Sequence, residues 1–253
     1  MLYKLPLAGV LLPERGGSPN ADRIASLYAV TLVIAFVVFI GVVVAIVYAL
    51  RRYSEKRHPV ATQTRGNTRL EIAWTLAASG LIVFLAVWTF IQLPGIENAD
   101  ESEASAAVID AGIVPAGKDQ PLTIEVIGRQ YIWKFRYPGG ASSYEEMVAP
   151  VGVTVKLEIT SIDVAHSWWI PKLGGKFDAL PGYTNETWFR ISEEGVYQGQ
   201  CAELCGRNHA VMFARVRAVS PDAYVAWLAR QKRENAEGLA AAKADRPAIP
   251  EER

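Results

Sequence analysis

From Ile24 to Leu50 the chain reads IASLYAVTLVIAFVVFIGVVVAIVYAL, a stretch without one charged side chain. A helix needs only about 20 apolar residues to cross the hydrocarbon core of a bilayer, and apolarity on every face is typical of a membrane span. A second uncharged run extends from Ile72 to Leu93 and is followed by Pro94, which predicts a helix end. The two runs predict a transmembrane helix hairpin, and a pair of helices buried in a large soluble domain is the alternative.

The charges that flank the two runs predict their direction through the membrane. The connecting loop holds a single acid, Glu55, against the bases Arg51, Arg52, Lys56, Arg57, Arg65 and Arg69, whereas the charged residues at 97–119 are all acidic except Lys118. Arg and Lys concentrate in short cytoplasmic loops. We therefore expect a two-span protein of a bacterial inner (plasma) membrane, with the N-terminus and the C-terminal domain on the periplasmic side. Glu71 then lies at the cytoplasmic end of the second span, where a headgroup-level carboxylate is the simplest interpretation.

The composition excludes some classes of protein. Of the 253 residues, 51% are hydrophobic, and 26 Lys and Arg balance 26 Asp and Glu. A neutral chain is not built to bind nucleic acid, because phosphate recognition needs an excess of clustered Lys and Arg. The predicted organisation is an external segment at 1–23, the hairpin at 24–94, an acidic linker at 95–119, a β domain at 120–220, and a short C-terminal helix with a tail at 221–253.

The β domain is predicted from alternating hydrophobicity. Every odd position from Val151 to Ile159 is apolar, and nearly every even one is polar or small. Similar alternation recurs at 122–126, 131–135, 186–191 and 211–219. Short strands divided by Gly and Pro turns predict an antiparallel sandwich or barrel. Ser220-Pro221 then predicts the start of a helix, which we expect to give way to a solvated and partly frayed tail beyond Gln231.

One loop concentrates the reactive side chains. Both Cys of the protein, one of its three His and one of its three Met fall within GQCAELCGRNHAVM, from Gly199 to Met212. A second His, His166, follows the long strand, and His58 lies in the predicted cytoplasmic loop. A disulfide between the two Cys and a zinc site of two Cys and two His are possible interpretations. Copper is the metal that also uses a Met, as a weak axial ligand.

The presence of a second Cys in this loop indicates how many metal ions the loop binds. One thiolate, two imidazoles and Met212 already complete a single copper, so a further thiolate four residues away is redundant unless it bridges. With Cys201 and Cys205 bridging two coppers, each metal takes one His. One of them adds Met212, and the main-chain oxygen of Glu203 is the natural candidate to complete the other. Spreading one electron over two metals in a rigid, dry site favours fast electron transfer.

These motifs resemble those of a known family. With HSWWIP from His166 and GGKFDALPG at Gly174–Gly182, the loop is similar to subunit II of haem-copper cytochrome c oxidases, in which a two-helix hairpin precedes a cupredoxin-like β domain with a dinuclear copper A centre. The resemblance implies a terminal oxidase subunit that accepts single electrons from a cytochrome c-like donor. The resemblance also implies that this subunit passes the electrons to the haem of catalytic subunit I, which reduces oxygen to water with proton pumping. The implied copper ligands are His166, Cys201, the Glu203 carbonyl, Cys205, His209 and Met212.

The resemblance extends to residues outside the copper ligands. It implies that the Glu203 side chain faces a magnesium ion shared with subunit I, and that Glu71 marks the mouth of a proton channel. Tyr131 occupies the place of the Trp that commonly receives electrons, so we expect Tyr131 and Trp133 to mediate electron acceptance. Asp163 is expected near the partner-facing surface.

The resemblance leaves two alternatives open. One is the copper A subunit of a nitric oxide reductase, which can use a similar module. The other, from a different class, is a membrane-anchored copper-delivery or zinc-binding protein. The partners implied by the oxidase interpretation are subunit I, other oxidase subunits, a cytochrome c-like donor and the lipid membrane.

Overall fold

The computed structural model describes residues 13–60, 63, 65–99, 106–114 and 121–244. These residues fall into two compact units: a helical unit of residues 25–94, and a β unit formed by residues 13–24 together with those from 95 onward. The first twelve residues of the predicted external segment and the boundary predicted at residue 120 lie outside the described residues. The remainder of that segment belongs to the β unit.

The helical unit consists of two long helices, which confirms the predicted hairpin. Helix α1 (Pro19–Arg52) has 34 residues and α2 (Thr68–Gln92) has 25. At 1.5 Å per residue they are about 51 and 38 Å long, and both are apolar enough to cross a membrane. No residue in their most apolar windows is buried, as expected for surfaces that face lipid or another membrane subunit. A short turn of helix, α3 (Pro94–Glu97), directly follows the end predicted before Pro94.

The β unit is a sandwich of two five-stranded sheets, with α4 (Ala106–Asp110) before the first strand and α5 (Pro221–Ala244) after the last. The strands are β1 (Leu122–Arg129), β2 (Ile132–Arg136), β3 (Ser142–Tyr144), β4 (Glu146–Pro150), β5 (Thr154–Ser161), β6 (His166–Trp169), β7 (Phe177–Ala179), β8 (Asn185–Arg190), β9 (Gly195–Cys201) and β10 (Phe213–Val219). The sheet orders are β3-β2-β1-β5-β8 and β4-β10-β9-β6-β7. The predicted β-sandwich is confirmed.

The sheets are mixed, so the expectation of a purely antiparallel domain is wrong. Strand β1 pairs in parallel with β5, and β4 pairs in parallel with β10. Alternation of apolar and polar residues reports that a segment is a strand with one buried face. It carries no information on which neighbour the strand meets, because parallel and antiparallel partners bury the same alternate side chains.

The long strand also begins later than its pattern predicts. Strand β5 starts at Thr154 rather than Val151, because Gly152 adopts a left-handed conformation with φ of +76°. Its N–H donates to the carbonyl of Ile191 at 2.7 Å. From Thr154 on, the alternation holds, and Val155, Leu157 and Ile159 are buried between the sheets. Together with apolar side chains of β1 and β10 they form the core on which the site is built.

Both edges of the first sheet are covered by segments from elsewhere in the chain. At β8, the side chain of Asn20 donates to the carbonyl of Trp188 at 2.7 Å, and the hydroxyl of Ser18 accepts from the N–H of Arg190 at 3.1 Å. At β3, the N–H of Ser142 donates to the side chain of Asn235 at 2.7 Å. Such contacts occupy groups that would otherwise be open to another strand.

The contact at β3 involves the C-terminal helix beyond its predicted end. Helix α5 continues past Gln231 to Ala244, so the tail up to Ala244 is helical rather than frayed, and most of its residues up to Lys243 are solvent-exposed as predicted. Asn235 lies in this extension, and its hydrogen bond to the edge strand gives that part of α5 a tertiary contact.

Candidate metal centre

Two neighbouring strands place the first ligands side by side. His166 is the first residue of β6 and Cys201 is the last of β9, and these strands pair antiparallel with Trp168 opposite Cys201. The chain then loops back toward β10 through a short 3-10 helix at His209–Val211. The N–H of Cys201 donates to the carbonyl of Met212 at 2.9 Å and closes the loop at its base.

The two thiols form the middle of the site. Both Cys are free, and their sulfur atoms lie 3.8 Å apart. The main-chain oxygen of Glu203 lies 3.3 Å from the sulfur of Cys201. Cys201 and Cys205 are only 2% and 4% exposed, so bulk water is nearly excluded from the sulfurs.

Each imidazole contacts a different thiol. The Nδ1 atom of His166 lies 3.8 Å from the sulfur of Cys201, and the Nδ1 atom of His209 lies 3.7 Å from the sulfur of Cys205. The thioether sulfur of Met212 lies 3.9 Å from that of Cys205. The structure therefore brings together all six residues that the sequence predicts as copper ligands.

The electrostatics of the thiol pair favour one negative charge in the metal-free protein. Burial opposes ionisation of Cys201, but hydrogen bonds from His166 and from the backbone at Ser167 outweigh it and lower the pKa of this thiol. Burial and the adjacent Cys201 thiolate raise the pKa of Cys205. A metal that needs both thiolates must therefore displace the proton of Cys205.

An outer hydrogen-bond network, which the sequence did not indicate, ties the two sides of the site together. The Oδ1 atom of Asp163 lies 3.0 Å from Nε2 of His166, which leaves Nδ1 to face the thiols. Gln130 donates its N–H to Oδ2 of Asp163 and its side-chain amide to the carbonyl of Cys205, both at 2.7 Å. The spacing D-V-A-H was the available signal for Asp163, whereas nothing local pointed to Gln130.

Asp163 is held as a carboxylate by this network. Partial burial raises its pKa, but hydrogen bonds from the N–H of Gln130 and from His166 more than compensate, and the pKa falls to about 2. A ligand imidazole that donates its second nitrogen to a carboxylate has a fixed tautomer and a more basic coordinating nitrogen. The sequence placed Asp163 near a partner-facing surface, and the structure adds its direct contact with His166.

The two residues expected to mediate electron acceptance lie at different depths. Trp133 is fully buried, with its ring centre 5.8 Å from that of His166 in an edge-on contact. Tyr131 is partly buried and lies over the turn at Gly206, where a Cβ atom would stand 2.7 Å from the tyrosine oxygen. Any side chain at Gly206 would thus displace Tyr131. The electron-acceptance role of both residues stays a prediction.

The two predicted glutamates have different surroundings. Glu203 is partly buried, and within the described part of the chain its carboxylate makes no hydrogen bond or ion pair. Glu71 belongs to the helical unit, where its carboxylate accepts from the N–H of Asn67 at 3.1 Å while the Asn67 side chain accepts from Leu70 at 3.2 Å. This reciprocal pair caps α2. The magnesium and proton-channel roles stay predictions.

The donor set fits copper. The possible ligand atoms are two buried thiols, two imidazole nitrogens, a thioether and a carbonyl oxygen. Each of them lies 3.3–3.9 Å from at least one of the two thiol sulfurs. Soft thiolate and thioether donors combined with imidazole suit copper. The ligand atoms of His166, Cys201 and Cys205 all lie within 4.8 Å of one another, and His209 is not a member of that group.

Two family models cover most of the chain. The model for "Cytochrome C oxidase subunit II, transmembrane domain" matches residues 8–91, and the model for "Cytochrome C oxidase subunit II, periplasmic domain" matches residues 140–219. Together with the two apolar helices, these matches indicate a membrane-anchored protein with a periplasmic domain.

Individual proteins agree with this assignment. Cytochrome c oxidase subunit 2 of Cereibacter sphaeroides is 33% identical over 262 aligned positions, which cover 85% of this chain and 80% of the relative. The same subunit of Oenothera berteroana is 31% identical, with 80% of each chain covered. Among solved structures, the periplasmic domain of cytochrome oxidase subunit II of Bradyrhizobium japonicum is 35% identical, covering 45% of this chain and 94% of that one with a TM-score of 0.44. The two family models and the two sequence relatives show that the chain belongs to the cytochrome c oxidase subunit II family.

Proposed function

We propose that this chain is the electron-accepting subunit of a terminal oxidase, with a dinuclear copper A centre held by His166, Cys201, the Glu203 carbonyl, Cys205, His209 and Met212. The observation that carries the proposal is that each of the two thiols has a different imidazole nitrogen within 3.8 Å of its sulfur. His166 contacts Cys201 and His209 contacts Cys205, with the thiols 3.8 Å apart between them. This arrangement offers two adjacent metal positions that share one thiol pair.

A single zinc ion explains the geometry less well. Metal–sulfur and metal–nitrogen distances of about 2.3 and 2.1 Å would bring all four His and Cys ligand atoms within roughly 4 Å of one another in a tetrahedral site. Three of the four lie within 4.8 Å of one another, and His209 falls outside that set. Zinc also has no use for the Met212 thioether, which lies 3.9 Å from Cys205.

The protein contributes a rigid and dry cage. When bound, the dinuclear centre supplies a one-electron redox couple shared by two metals. Antiparallel strands β6 and β9 fix His166 and Cys201, and Asp163 holds the Nε2 proton of His166 so that Nδ1 faces the thiols. Burial of Cys201 and Cys205 excludes water that would otherwise reorganise when the charge changes. Fixed donors in a site of low polarity need little rearrangement between oxidation states.

The remaining features of the proposal concern assembly. We place the chain in a bacterial inner membrane, with its β unit receiving electrons from a cytochrome c-like donor and passing them to the haem of subunit I. The partly buried carboxylate of Glu203, which has no partner within the described residues, suits a magnesium ion shared with that subunit. Glu71 is proposed as the mouth of a proton channel, in addition to its capping contact with Asn67.

Two other functions are less well supported. A copper-delivery protein needs exposed, exchangeable thiols, whereas Cys201 and Cys205 are nearly inaccessible. A nitric oxide reductase subunit would use the same ligands, but the relatives described above are subunits of cytochrome c oxidases, which favours reduction of oxygen.

Copper content and electron paramagnetic resonance of the full chain in mild detergent test the proposal. The full chain is needed because Ser18 and Asn20 cover the edge of β8, so a fragment that begins after the hairpin lacks these contacts. We expect two coppers per chain and one unpaired electron whose signal is split by both copper nuclei. One copper with a signal split by a single nucleus would contradict the dinuclear assignment, and zinc without a signal would contradict electron transfer.

Substitutions at two ligands sharpen that test. Cys205→Ser should abolish the dinuclear signal, whereas Met212→Leu should retain two coppers with a shifted potential, because a thioether is a weak ligand. Retention of two coppers in Cys205→Ser would overturn the sharing of the thiolates. Turnover with reduced cytochrome c and oxygen, compared with nitric oxide, then separates the two reductase functions.

A further inference from the structure

The helical unit has an open surface cavity of about 540 Å³ at the C-terminal end of α1, remote in sequence from the copper ligands, and all of its lining residues are exposed. Its walls on one side are apolar and include Val43, Val47 and Tyr48. On the other side they are formed by Arg51, Arg52 and Arg57, the last of which follows the end of the helix where the chain turns back. Most of the exposed lining is apolar, and the arginines add a smaller basic part at the end of the helix. We call these two parts the apolar half and the basic half.

The basic half is held in place by hydrogen bonds. Arg57 donates from Nη1 to the carbonyl of Arg51 at 3.0 Å, and Arg52 donates from Nη1 to Nε2 of His58 at 3.0 Å. The guanidinium of Arg52 also lies 5.9 Å from the centre of the Tyr53 ring. A guanidinium has five N–H donors in a planar fork. Most donors of these side chains therefore remain available to a ligand.

No acid neutralises the three arginines within the described part of the chain. Glu55, the single acid of the connecting loop, is exposed, and within the described residues no ion pair joins it to any of them. Three positive charges gathered at one cavity repel one another unless an anion joins them. Arg is the side chain best suited to phosphate, because its fork binds two oxygens at once.

The apolar half identifies the kind of anion. Val43, Val47 and Arg51 are spaced four residues apart, so they lie on one face of α1 and lead from the apolar span to the basic cluster. A free inorganic phosphate would leave the valine wall without a partner. A ligand with a phosphate at one end and a hydrocarbon chain at the other satisfies both halves.

We propose that this cavity binds one anionic phospholipid, with its phosphate among Arg51, Arg52 and Arg57 and the upper part of an acyl chain against Val43 and Val47. The side of the membrane rests on the proposed topology, which places the loop in the cytoplasmic leaflet opposite the periplasmic β unit. Anionic lipids are abundant in that leaflet, and basic cavities beside membrane helices on that side bind their headgroups. The lipid would anchor the turn between the two spans.

The test counts lipids retained by the full chain. The protein is reconstituted in nanodiscs of phosphatidylglycerol and phosphatidylcholine, extracted in mild detergent, and analysed by native mass spectrometry. We expect one tightly retained phosphatidylglycerol per chain. In Arg51→Gln/Arg57→Gln its retention should fall by about tenfold or more, since each Arg near the surface contributes several-fold to the binding of an anionic lipid. The control Lys56→Gln/Arg65→Gln removes the same charge from the same loop outside the cavity and should retain the lipid.

Two further experiments distinguish binding of the phosphate group from binding of the acyl chain. Val47→Trp fills the apolar half while keeping all three arginines, so it should also lose the lipid, with helix content checked by circular dichroism. Excess inorganic phosphate should not displace the lipid from the wild-type chain. Displacement by phosphate together with full retention in Val47→Trp would indicate a site for a free anion and overturn the proposal.

Two other outcomes would also overturn it. Equal loss in the arginine variant and its control would mean that loop charge alone attracts the lipid. If the arginine variant keeps the lipid but no longer co-purifies with a catalytic subunit, the cavity is a protein interface. Copper content and the paramagnetic signal are recorded on the same samples, so failure of the lipid site is distinguishable from failure of the proposed function.

Discussion

His166 and His209 face the same pair of thiols from two different kinds of structure. His166 is fully buried at the start of a paired strand, and its second nitrogen contacts Asp163. His209 is partly exposed on a short 3-10 helix, and within the described residues its ring has no contact beyond the thiols. The strand-borne half of the site is thus fixed by the sheet, and the loop-borne half is fixed mainly by the loop itself.

The loop-borne half of the site is held in place by hydrogen bonds at the base of the loop and to the rest of the β unit. The base of the loop is closed by the hydrogen bond from Cys201 to Met212, and its middle is tied down by Gln130, which donates to the carbonyl of Cys205. Gln130 also donates to Asp163, the carboxylate behind His166. One residue of the β1–β2 turn therefore connects the two halves. Four sets of variants test this difference between the two histidines.

The largest effect is expected from removal of either histidine. His166→Gly and His209→Gly should each lower copper affinity by more than about 100-fold, since loss of an outer partner alone costs 10–100-fold. Added imidazole should restore the paramagnetic signal in His209→Gly, because that position is partly open to solvent. Added imidazole should not restore the signal in His166→Gly, because that position is fully buried next to Trp133. If imidazole restored the paramagnetic signal equally in both variants, the two histidine positions would not differ in their access to solvent.

A smaller effect is expected at Asp163. Asp163→Ala should lower copper affinity by about 10–100-fold, because His166 loses the partner that fixes its tautomer. Asp163→Asn keeps an acceptor for His166 without the charge and should fall between Ala and wild type. Affinity is measured by competition with a chelator, and the hyperfine splitting is recorded alongside. An unchanged affinity in Asp163→Ala would mean that the strand alone orients His166.

A third variant acts on the loop-borne half. Gln130→Leu leaves the carbonyl of Cys205 without its donor while the main-chain bond to Asp163 remains, and this should destabilise the metal-free β unit by about 1–3 kcal/mol. Alkylation of Cys205 should accelerate more than that of Cys201. Gln198→Leu, an exposed glutamine on β9, is the matched control. Equal acceleration at both thiols would argue against a role confined to the loop.

The smallest effect is expected far from the ligands, in the aromatic cluster under α5. Tyr224 is fully buried, and its hydroxyl has no hydrogen-bond partner within the described residues. Tyr224→Phe removes this unpaired group and should change stability at neutral pH by less than about 1 kcal/mol, in the stabilising direction. The copper signal should be unchanged, which makes this variant a reference for both halves of the site.

The same variant has a defined pH dependence. Burial raises the pKa of Tyr224 in the folded protein, so above about pH 10 the unfolded chain releases a proton that the folded chain keeps. The free energy of unfolding therefore decreases with rising pH, by up to about 1.4 kcal/mol per pH unit for each such group. Tyr224→Phe should lose part of this decrease and keep the part due to Tyr137, whose pKa burial also raises. An unchanged alkaline slope in denaturant titrations would contradict the assignment.

Much of the fold and the ligand set could be predicted because the signals are local. The charge-free runs at Ile24–Leu50 and Ile72–Leu93 became helices, and the alternating segments became strands, since each pattern is complete within one element. Cys201, Cys205, His209 and Met212 lie in one loop, so their residue types and spacing already indicated copper. The boundaries were less accurate, as at Val151, where a glycine turn delays the strand.

The remaining features depend on contacts between residues that are distant in sequence. Gln130 reaches Asp163 and Cys205 across 33 and 75 positions, and Asn20 reaches Trp188 across 168. Parallel pairing of β1 with β5 and the assignment of each histidine to one thiol are of the same kind. A local pattern records which face of an element is buried and which atoms can bind a metal. Which distant group meets that face or that atom is settled by the packing of the whole unit, because many partners satisfy the same local pattern equally well.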